Sequence, residues 1–153
     1  MSFDTRNGTR GSRQPSGPFF RWMNNLMARR LRRKGGKMMG FNALVLTTVG
    51  RKSGADRSNP VGWFPGRDGS WLIVASAAGA ARNPAWYYNI AAHPDKVRIQ
   101  VDGQTVPVTA EQLHDAERDE AWQQITVASP RFAQYQQKTD RQLPVIRLVR
   151  ATG

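Results

Sequence analysis

The chain has 153 residues, 23 of them basic and 11 acidic, which gives a formal net charge of +12 at pH 7. It contains no cysteine and only two histidines, His93 and His114, which excludes disulfides, thiolate metal sites, thiol catalysis and histidine-rich zinc sites. This length favours one domain with a modest core, and no apolar run reaches the ~18–20 residues of a membrane-spanning helix.

The positive charge is concentrated towards the N terminus. Ten of the 23 basic residues lie in residues 1–40, where Asp4 is the single acid. Residues 1–17 are rich in glycine, serine, arginine and proline and contain one aromatic residue. Such a composition buries too little surface to offset the loss of chain entropy, so we expect these residues to form a disordered basic tail.

A cationic amphipathic helix is predicted over residues 19–34, within a helix-and-linker region of residues 18–40. Its apolar residues recur at steps of three and four, and two glycines after Lys34 end the pattern. The helix has three interpretations: it packs on the body of the protein (residues 41–153), binds nucleic-acid phosphates or lies on an anionic membrane. Its aromatic residues favour the body or the membrane, and no specific nucleic-acid motif is present. We therefore expect a cytoplasmic protein that this helix can hold reversibly on the inner face of the cell membrane.

Residues 41–153 are predicted to form one domain of strands and helices. Asn83 and Pro84 are typical of a helix cap and a first helical position, and Thr109 with Gln112 is typical of a capping box. Short loops between consecutive strands favour a mainly β, antiparallel α+β fold, a small barrel, over a parallel sheet. The predicted elements are strands over 43–49, 57–65 and 71–76, a helix from Pro84 to His93, strands over 96–101 and 104–109, helices from Thr109 to about Ala128 and from Ser129 to about Lys138, and a strand over 143–149.

The first candidate site is the segment Gly50–Arg57, which follows a predicted strand. Two glycines allow a ligand to approach the backbone closely, and three cations and the hydroxyl of Ser53 lie within the segment. This combination suits an anion such as a phosphate or a carboxylate. It is not a Walker A loop, because Arg51 precedes Lys52 and no helix follows. A solvated basic hairpin turn is an alternative of equal weight.

The second candidate site is the loop of small residues from Ser76 to Ala81, which leads to the helix at Pro84. Small side chains leave room for a flat ligand, and the start of a helix offers free N–H groups to an anion. Trp86 and Tyr87 would form a wall of such a cavity. Taken alone, a tight strand-to-helix corner with aromatic residues in the core is the favoured interpretation.

Two further features are weaker as site signals. Phe132 and Tyr135 share a face of the short helix and would cap a pocket, although an ordinary buried face is favoured by about two to one. His93 is interpreted as a partner of a helix C terminus and His114 as solvated, so neither is assigned to catalysis. The acids of residues 111–120 are typical of an exposed helix face, and no metal site or paired-carboxylate hydrolase is predicted.

Four segments in series resemble the deazaflavin-dependent nitroreductase family, whose actinobacterial members use coenzyme F-420, a deazaflavin with a lactyl phosphate and an oligoglutamate tail. The segments read LTTVGRKSGADRSNP, WLIVAS, NPAWYYNIAAHP and ASPRFAQYQQKTDRQLPV, and they follow the family order with nearly the family spacing. The resemblance extends from about Phe19 to Val149. It implies a split β-barrel with an N-terminal helix that binds the deazaflavin in a groove.

The resemblance also implies roles for individual residues. It places the coenzyme's phosphate and glutamate tail on the segment Gly50–Arg57, called the cationic turn below. It makes Ser76 and Tyr135 the candidate catalytic residues, with the Ser76 hydroxyl near the reacting face. The implied substrate-binding residues are Gly62, Ser129, Phe132 and Tyr135. The implied coenzyme-binding residues are Thr48, Arg51, Lys52, Ser53, Gly54, Arg57, Ala75, Ser76, Ala77, Gly79, Pro84, Trp86, Tyr87 and Asn89.

The chain departs from the family pattern on the substrate side. Ala78 replaces the first family glycine after the serine motif, and the C-terminal wall loses two of three tyrosine hydroxyls, at Ser129 and Phe132. A more open pocket with fewer hydrogen-bonding groups follows, so nitroimidazole reduction is not implied.

The predicted activity is hydride transfer from C5 of the reduced deazaflavin to a small electron-poor acceptor such as a quinone, an enone or a nitroaromatic. The coenzyme would carry the chemistry, which explains why the chain shows no nucleophile, metal site or histidine base. One alternative is a related split-barrel reductase that uses FMN. The other is a non-enzymatic basic protein that binds a membrane or nucleic acid.

Overall fold

The computed structural model describes residues 3–11, 26, 37–38 and 41–151. The strands are β1 (Lys37–Met38), β2 (Phe41–Val49), β3 (Asp56–Gly62), β4 (Phe64–Pro65), β5 (Trp71–Val74), β6 (Val97–Val101), β7 (Gln104–Gln112) and β8 (Val145–Arg150). The helices are α1 (Ala85–Ala92), α2 (Asp115–Ala128) and α3 (Arg131–Lys138). In the described part of the chain, no helix is long and apolar enough to cross a membrane.

The strands form one antiparallel sheet in the order β1-β2-β6-β7-β8-β5-β4, with β3 paired to β2. Strand β3 also approaches β5, so the sheet curls towards a barrel. This arrangement confirms the antiparallel fold that the short hairpin loops predict. The β2–β3 hairpin places Thr48 opposite Arg57 and Val49 opposite Asp56, so the cationic turn projects from the end of two paired strands.

The curled sheet buries apolar side chains on both faces. In β5, Trp71 and Ile73 belong to one cluster, whereas Leu72 and Val74 belong to the other, as the two-residue repeat of a strand requires. Helix α1 covers the first cluster, and helices α2 and α3 cover the second. Helix α1 also contacts the start of the cationic turn, since Asn89 accepts a hydrogen bond from the backbone N–H of Arg51.

Two predicted element boundaries are wrong. Thr109 and Gln112 do not open a helix but continue β7, where they pair with Val149 and Ile146 of β8. The pairing with β8 outweighs the local capping pattern, and α2 begins only at Asp115. At α1, Pro84 is the residue that precedes the first helical turn, so Asn83 is not the cap.

Residues 3–11 do not lie as the sequence leads us to expect of a disordered tail. They follow the surface of the body: the backbone N–H of Gly8 donates to the carbonyl of Ala81 at 2.6 Å, and Phe3 packs edge-on against Tyr87, with ring centroids 5.9 Å apart. The Asp140 carboxylate accepts hydrogen bonds from Thr9. These residues form contacts despite their composition, because Ala81, Tyr87 and Asp140 supply their partners.

The predicted cationic helix over residues 19–34 falls outside the described residues except for Leu26. That residue is helical and 54 % exposed. The division into a basic tail, a cationic helix and a domain over residues 41–153 stays a prediction.

Candidate functional site

The cationic turn connects β2 to β3 and has a tight backbone. The N–H of Gly50 donates to the carbonyl of Ala55 at 2.7 Å, and the N–H of Gly54 donates to the carbonyl of Gly50 at 2.9 Å. Gly54 has a φ of 72°, which a residue with a side chain adopts only with strain, and a Cβ there would meet open space. The turn therefore exposes its backbone on the outer side.

Three cations of this turn, Arg51, Lys52 and Arg57, are exposed. The acid of the same segment, Asp56, pairs with Arg98 of β6 at 2.7 Å. Within residues 3–11 and 41–151, no ion pair joins any of the three cations to a carboxylate. Arg98 thus neutralises Asp56, and the three cations stay available to an external anion.

Helix α1 holds the start of the turn through Asn89. The side chain of Asn89 is buried; its Oδ1 accepts a hydrogen bond from the backbone N–H of Arg51 at 3.1 Å, and its Nδ2 donates to Oγ1 of Thr48 at 3.1 Å. Thr48 is also buried. The structure therefore brings together Thr48, Arg51 and Asn89, three residues that the resemblance assigns to the coenzyme.

The next residue towards the N terminus of α1, Tyr88, contacts the side chain of Arg51. The guanidinium carbon lies 4.7 Å from the centre of the Tyr88 ring, which is a cation–π distance. The phenol of Tyr88 donates to Oδ1 of Asn7 at 2.7 Å and accepts from Nδ2 of Asn83 at 3.3 Å. Tyr88 stands in the motif NPAWYYNIAAHP, but the motif does not reveal its role, because the contact with Arg51 joins two separate segments of the chain.

The loop after β5 is held by a buried arginine. Arg141 is 2 % exposed, and its guanidinium donates hydrogen bonds to the carbonyls of Ala75 (2.8 Å), Ser76 (2.9 Å) and Ala80 (3.0 Å) and to Oδ1 of Asn83 (2.7 Å). Burial lowers the pKa of Arg141 to about 10, so the group stays charged at neutral pH. The sequence gives no signal for this role, because the partners of Arg141 are mostly backbone carbonyls, which every residue carries.

The same loop packs closely on α3. Gly79 has a φ of 81°, and a Cβ at this position would lie 2.6 Å from the carbonyl oxygen of Tyr135. Ala77 also has a positive φ, of 46°. The loop that carries Ser76 and the helix that carries Tyr135 are therefore in direct contact.

Several predicted site residues lie in the core instead of on a surface. Trp86 and Tyr87 belong to the first apolar cluster, and Tyr87 is 1 % exposed. Phe132 lies in the second cluster, edge-on to Phe64 with ring centroids 5.6 Å apart, whereas Tyr135 is partly exposed. Trp86, Tyr87 and Phe132 are therefore core residues, which is the alternative that the sequence left open.

The hydroxyl of Tyr87 finds its partners inside the chain. It donates to Oε1 of Gln112 at 2.5 Å and accepts from the backbone N–H of Thr5 at 3.1 Å. The Nε2 of Gln112 donates to Oγ1 of Thr5 at 2.7 Å, which closes the network. Burial raises the pKa of Tyr87. This residue thus anchors the N-terminal segment.

The remaining predicted residues occupy separate places. Gly62 ends β3 opposite Ala43, and Ser129 lies between α2 and α3. Pro84 is buried at the start of α1, and Ser53 and Lys52 are exposed in the turn. The structure therefore forms one group around the cationic turn and a second group where the residue 75–80 loop meets α3.

The chemistry of the turn fits the tail of coenzyme F-420. A phosphate and several carboxylates require guanidinium and ammonium donors whose charge is not already compensated. The exposed cations, the open side of Gly54 and the pairing of Asp56 with Arg98 meet that requirement.

The chain matches the family model described as F420H(2)-dependent quinone reductase over residues 20–150. Among curated proteins, it is similar to the F420H(2)-dependent quinone reductase Rv1261c of Mycobacterium tuberculosis H37Rv, with 38 % identity over 112 residues, covering 71 % of this chain and 73 % of that protein.

Solved structures agree with the sequence comparison. A structure described as an F420-H2 dependent reductase, FDR-A, superimposes with a TM-score of 0.62 at 36 % identity and covers 69 % of this chain and 92 % of that one. A second structure, described as a domain-swapped dimer, has a TM-score of 0.64 at 31 % identity and covers 86 % of this chain and 99 % of that one. These matches confirm the predicted fold and the predicted deazaflavin coenzyme. The chain belongs to the F420H(2)-dependent quinone reductase family, which is a family of oxidoreductases that depend on reduced coenzyme F-420.

Proposed function

We propose that this chain reduces a small quinone with reduced coenzyme F-420 and that the segment Gly50–Arg57 holds the acidic tail of the coenzyme. The observation that carries the assignment is the set of exposed cations, together with the pairing of Asp56 to Arg98. Phosphates and carboxylates bind tightly where such cations have no competing acid. The names of the similar proteins support a quinone as the acceptor over an enone or a nitroaromatic.

When bound, the reduced coenzyme supplies a hydride to the acceptor. The chain itself binds and orients the two partners. Arg51 and Arg57 present planar guanidinium groups that suit two-point contact with carboxylates or phosphate, and Lys52 adds a point charge. Asn89 fixes the backbone of Arg51, so the turn does not have to reorganise when the anion arrives.

We assign the deazaflavin ring to the loop of Ala75, Ser76, Ala77 and Gly79. Arg141 supports this assignment, because it binds the loop's carbonyls and makes the loop rigid. We assign to the Ser76 hydroxyl the orientation of the acceptor's oxygen. Tyr135 lies on α3, whose backbone contacts Gly79 of the same loop. Gly62 and Ser129 stay assigned to the substrate side.

The buried aromatic residues act from behind this surface. Trp86, Tyr87 and Phe132 pack in the two cores and are proposed to support the site without touching the coenzyme. Pro84 starts the helix that carries Asn89. Exclusion of water and fixed orientation are the contributions that such packing makes to hydride transfer.

The binding assignment is tested by titrating the protein with coenzyme F-420 and following the deazaflavin fluorescence at low and moderate salt. The double variant Arg51→Ala, Lys52→Ala is expected to bind at least about tenfold more weakly, with a smaller salt dependence. Arg67→Ala is the matched control, because Arg67 is an exposed cation on another turn, paired with Glu120. Unchanged binding by the double variant would count against the assignment.

The activity is tested by anaerobic oxidation of the reduced coenzyme with a water-soluble naphthoquinone. We expect quinone-dependent loss of the reduced coenzyme that requires the protein. No reaction with the quinone, combined with reaction of an enone or a nitroaromatic, would change the acceptor class. No reaction with any of these acceptors would contradict the proposed function.

Association with a membrane surface belongs to the same proposal, and it concerns the predicted helix over residues 19–34. Its support is the composition of the segment, which combines an apolar stripe with a terminal cluster of cations. Replacing Arg29, Arg30, Arg32, Arg33 and Lys34 by glutamine should reduce sedimentation with vesicles of anionic phospholipid. Equal sedimentation of the variant and the natural chain would remove the membrane surface from the proposal.

A further inference from the structure

We propose that Tyr88 is a positioning residue that holds the Arg51 side chain ready for the acidic tail and couples it, through Asn7, to the N-terminal segment of residues 3–11. This inference rests on the proposed function, because it concerns the same tail site. To the site formed by the turn, Thr48 and Asn89, it adds Tyr88 of α1 and Asn7 near the N terminus. Neither belongs to the set assigned from the resemblance.

The two neighbouring residues Tyr88 and Asn89 fix different parts of Arg51. Asn89 accepts a hydrogen bond from the backbone N–H of Arg51 at 3.1 Å, and the Tyr88 ring lies 4.7 Å from its guanidinium carbon. A cation over an aromatic face is attracted by the ring quadrupole. In the described part of the chain, the neighbouring cation Lys52 has no such aromatic contact. Helix α1 therefore contacts both the backbone and the guanidinium of Arg51.

Tyr88 is itself held from the other side. Oδ1 of Asn7 accepts two hydrogen bonds, from the Tyr88 hydroxyl at 2.7 Å and from the backbone N–H of Asn83 at 3.0 Å. Asn83 is buried, and Arg141 donates to its Oδ1 at 2.7 Å. The ring orientation thus depends on a rigid element of the body and on a segment from the far end of the chain.

The consequence for binding is a matter of entropy. A long arginine side chain loses rotamer freedom when it grips an anion, and this loss weakens the complex unless the side chain is already ordered. Tyr88 orders Arg51 before the ligand arrives. Because coupling between two binding events is reciprocal, a ligand on Arg51 should in turn favour the docked state of residues 3–11.

The first test measures affinity in a double-mutant cycle between Tyr88→Leu and Arg51→Ala. Two probes are used: coenzyme F-420 and the deazaflavin analogue that lacks the phosphate and the glutamates. Tyr88→Leu is expected to weaken binding of the full coenzyme by about two- to fivefold, and to do so only when Arg51 is present. Binding of the tail-free analogue should not change.

The outcomes separate the possible failures. Additive effects of the two substitutions, or an equal loss for both probes, would overturn the positioning role and leave the proposed function standing. Failure of the natural chain to bind the full coenzyme would instead overturn the proposed function. A thermal-unfolding measurement shows whether each variant is folded. Tyr88→Phe keeps the ring and should retain most of the affinity for the full coenzyme, and a loss as large as that expected of Tyr88→Leu would overturn the role of the ring.

The second test measures the coupling by limited trypsin digestion after Arg6, which is exposed between Thr5 and Asn7. The full coenzyme is expected to slow this cleavage in the natural chain, and the tail-free analogue is not. Tyr88→Phe removes the hydrogen bond to Asn7 and should abolish the protection. Equal protection in Tyr88→Phe, or none in the natural chain at saturating coenzyme, would overturn the link to the N-terminal segment.

Discussion

The carboxylate of Asp56 on β3 and the guanidinium of Arg98 on β6 lie 2.7 Å apart, and the two strands pair with β2. Asp56 is the acid within the cationic turn, and Arg98 is a strand residue that would otherwise be one more exposed cation. Their pairing removes a local competitor for Arg51, Lys52 and Arg57. The electrostatics of the turn is therefore set partly by a residue more than forty positions along the chain.

Neutral substitution of Asp56 is expected to strengthen binding of the coenzyme tail. Asp56→Asn removes a negative charge from the turn and frees Arg98, so affinity for coenzyme F-420 should rise by about two- to fivefold at low salt. Arg98→Ala leaves Asp56 unpaired and should lower the affinity by a similar factor. Fluorescence titration measures both, and a change of the same sign in the two variants would contradict the electrostatic explanation.

Two glycines with positive φ should respond differently to substitution. Gly54→Ala adds a methyl group to open space, so only the backbone conformation is strained, by about 1 kcal/mol. Gly79→Ala adds the same strain and also places a Cβ 2.6 Å from the Tyr135 carbonyl oxygen. Denaturant unfolding should therefore show a clearly larger loss for Gly79→Ala. Equal losses would mean that the loop moves away from α3 without cost.

Removal of the Arg141 guanidinium should destabilise the whole protein. Arg141→Met leaves the carbonyls of Ala75, Ser76 and Ala80 without their buried donor, which costs about 3 kcal/mol or more in the free energy of unfolding. Arg141→Lys keeps the charge but not the planar set of donors, so we expect only partial recovery. Full recovery by lysine, measured by denaturant unfolding, would show that charge alone matters.

Docking of the N-terminal segment should depend on pH through Asp140. Hydrogen bonds from the Thr9 hydroxyl and the Thr9 backbone N–H lower the pKa of Asp140 from 3.8 to about 2. Because the pKa is depressed in the docked state, the stabilisation is complete above pH 3.8 and is lost as the pH falls through about 2. The NMR shift of the Thr9 amide should titrate in this range.

Asp140→Asn is the control for this pH dependence. The side-chain amide of asparagine still accepts a hydrogen bond through its oxygen but does not ionise. The NMR shift of the Thr9 amide should therefore stay constant from about pH 4 to about pH 2. A titration that persists in Asp140→Asn would show that the Asp140 carboxyl does not cause the effect.

The sequence by itself determined the features that depend on neighbouring residues. The glycine-bracketed cationic turn and the hairpin spacing that makes the sheet antiparallel are both local, because turn chemistry and strand alternation act over a few positions. The turn and the antiparallel hairpins agree with the structure because no distant contact opposes them. The placement of the coenzyme's acidic tail on that turn rests on the resemblance and stays a proposal.

The tertiary structure decided the rest. Thr109 and Gln112 form part of β7 and do not cap a helix, since the ladder of backbone hydrogen bonds with β8 outweighs one cap. Asn7 meets Tyr88 across 81 positions, and Arg141 meets Ala75 across 66. Such partners are brought together only when the chain folds, because burial forces each polar group to find a partner wherever the fold places one.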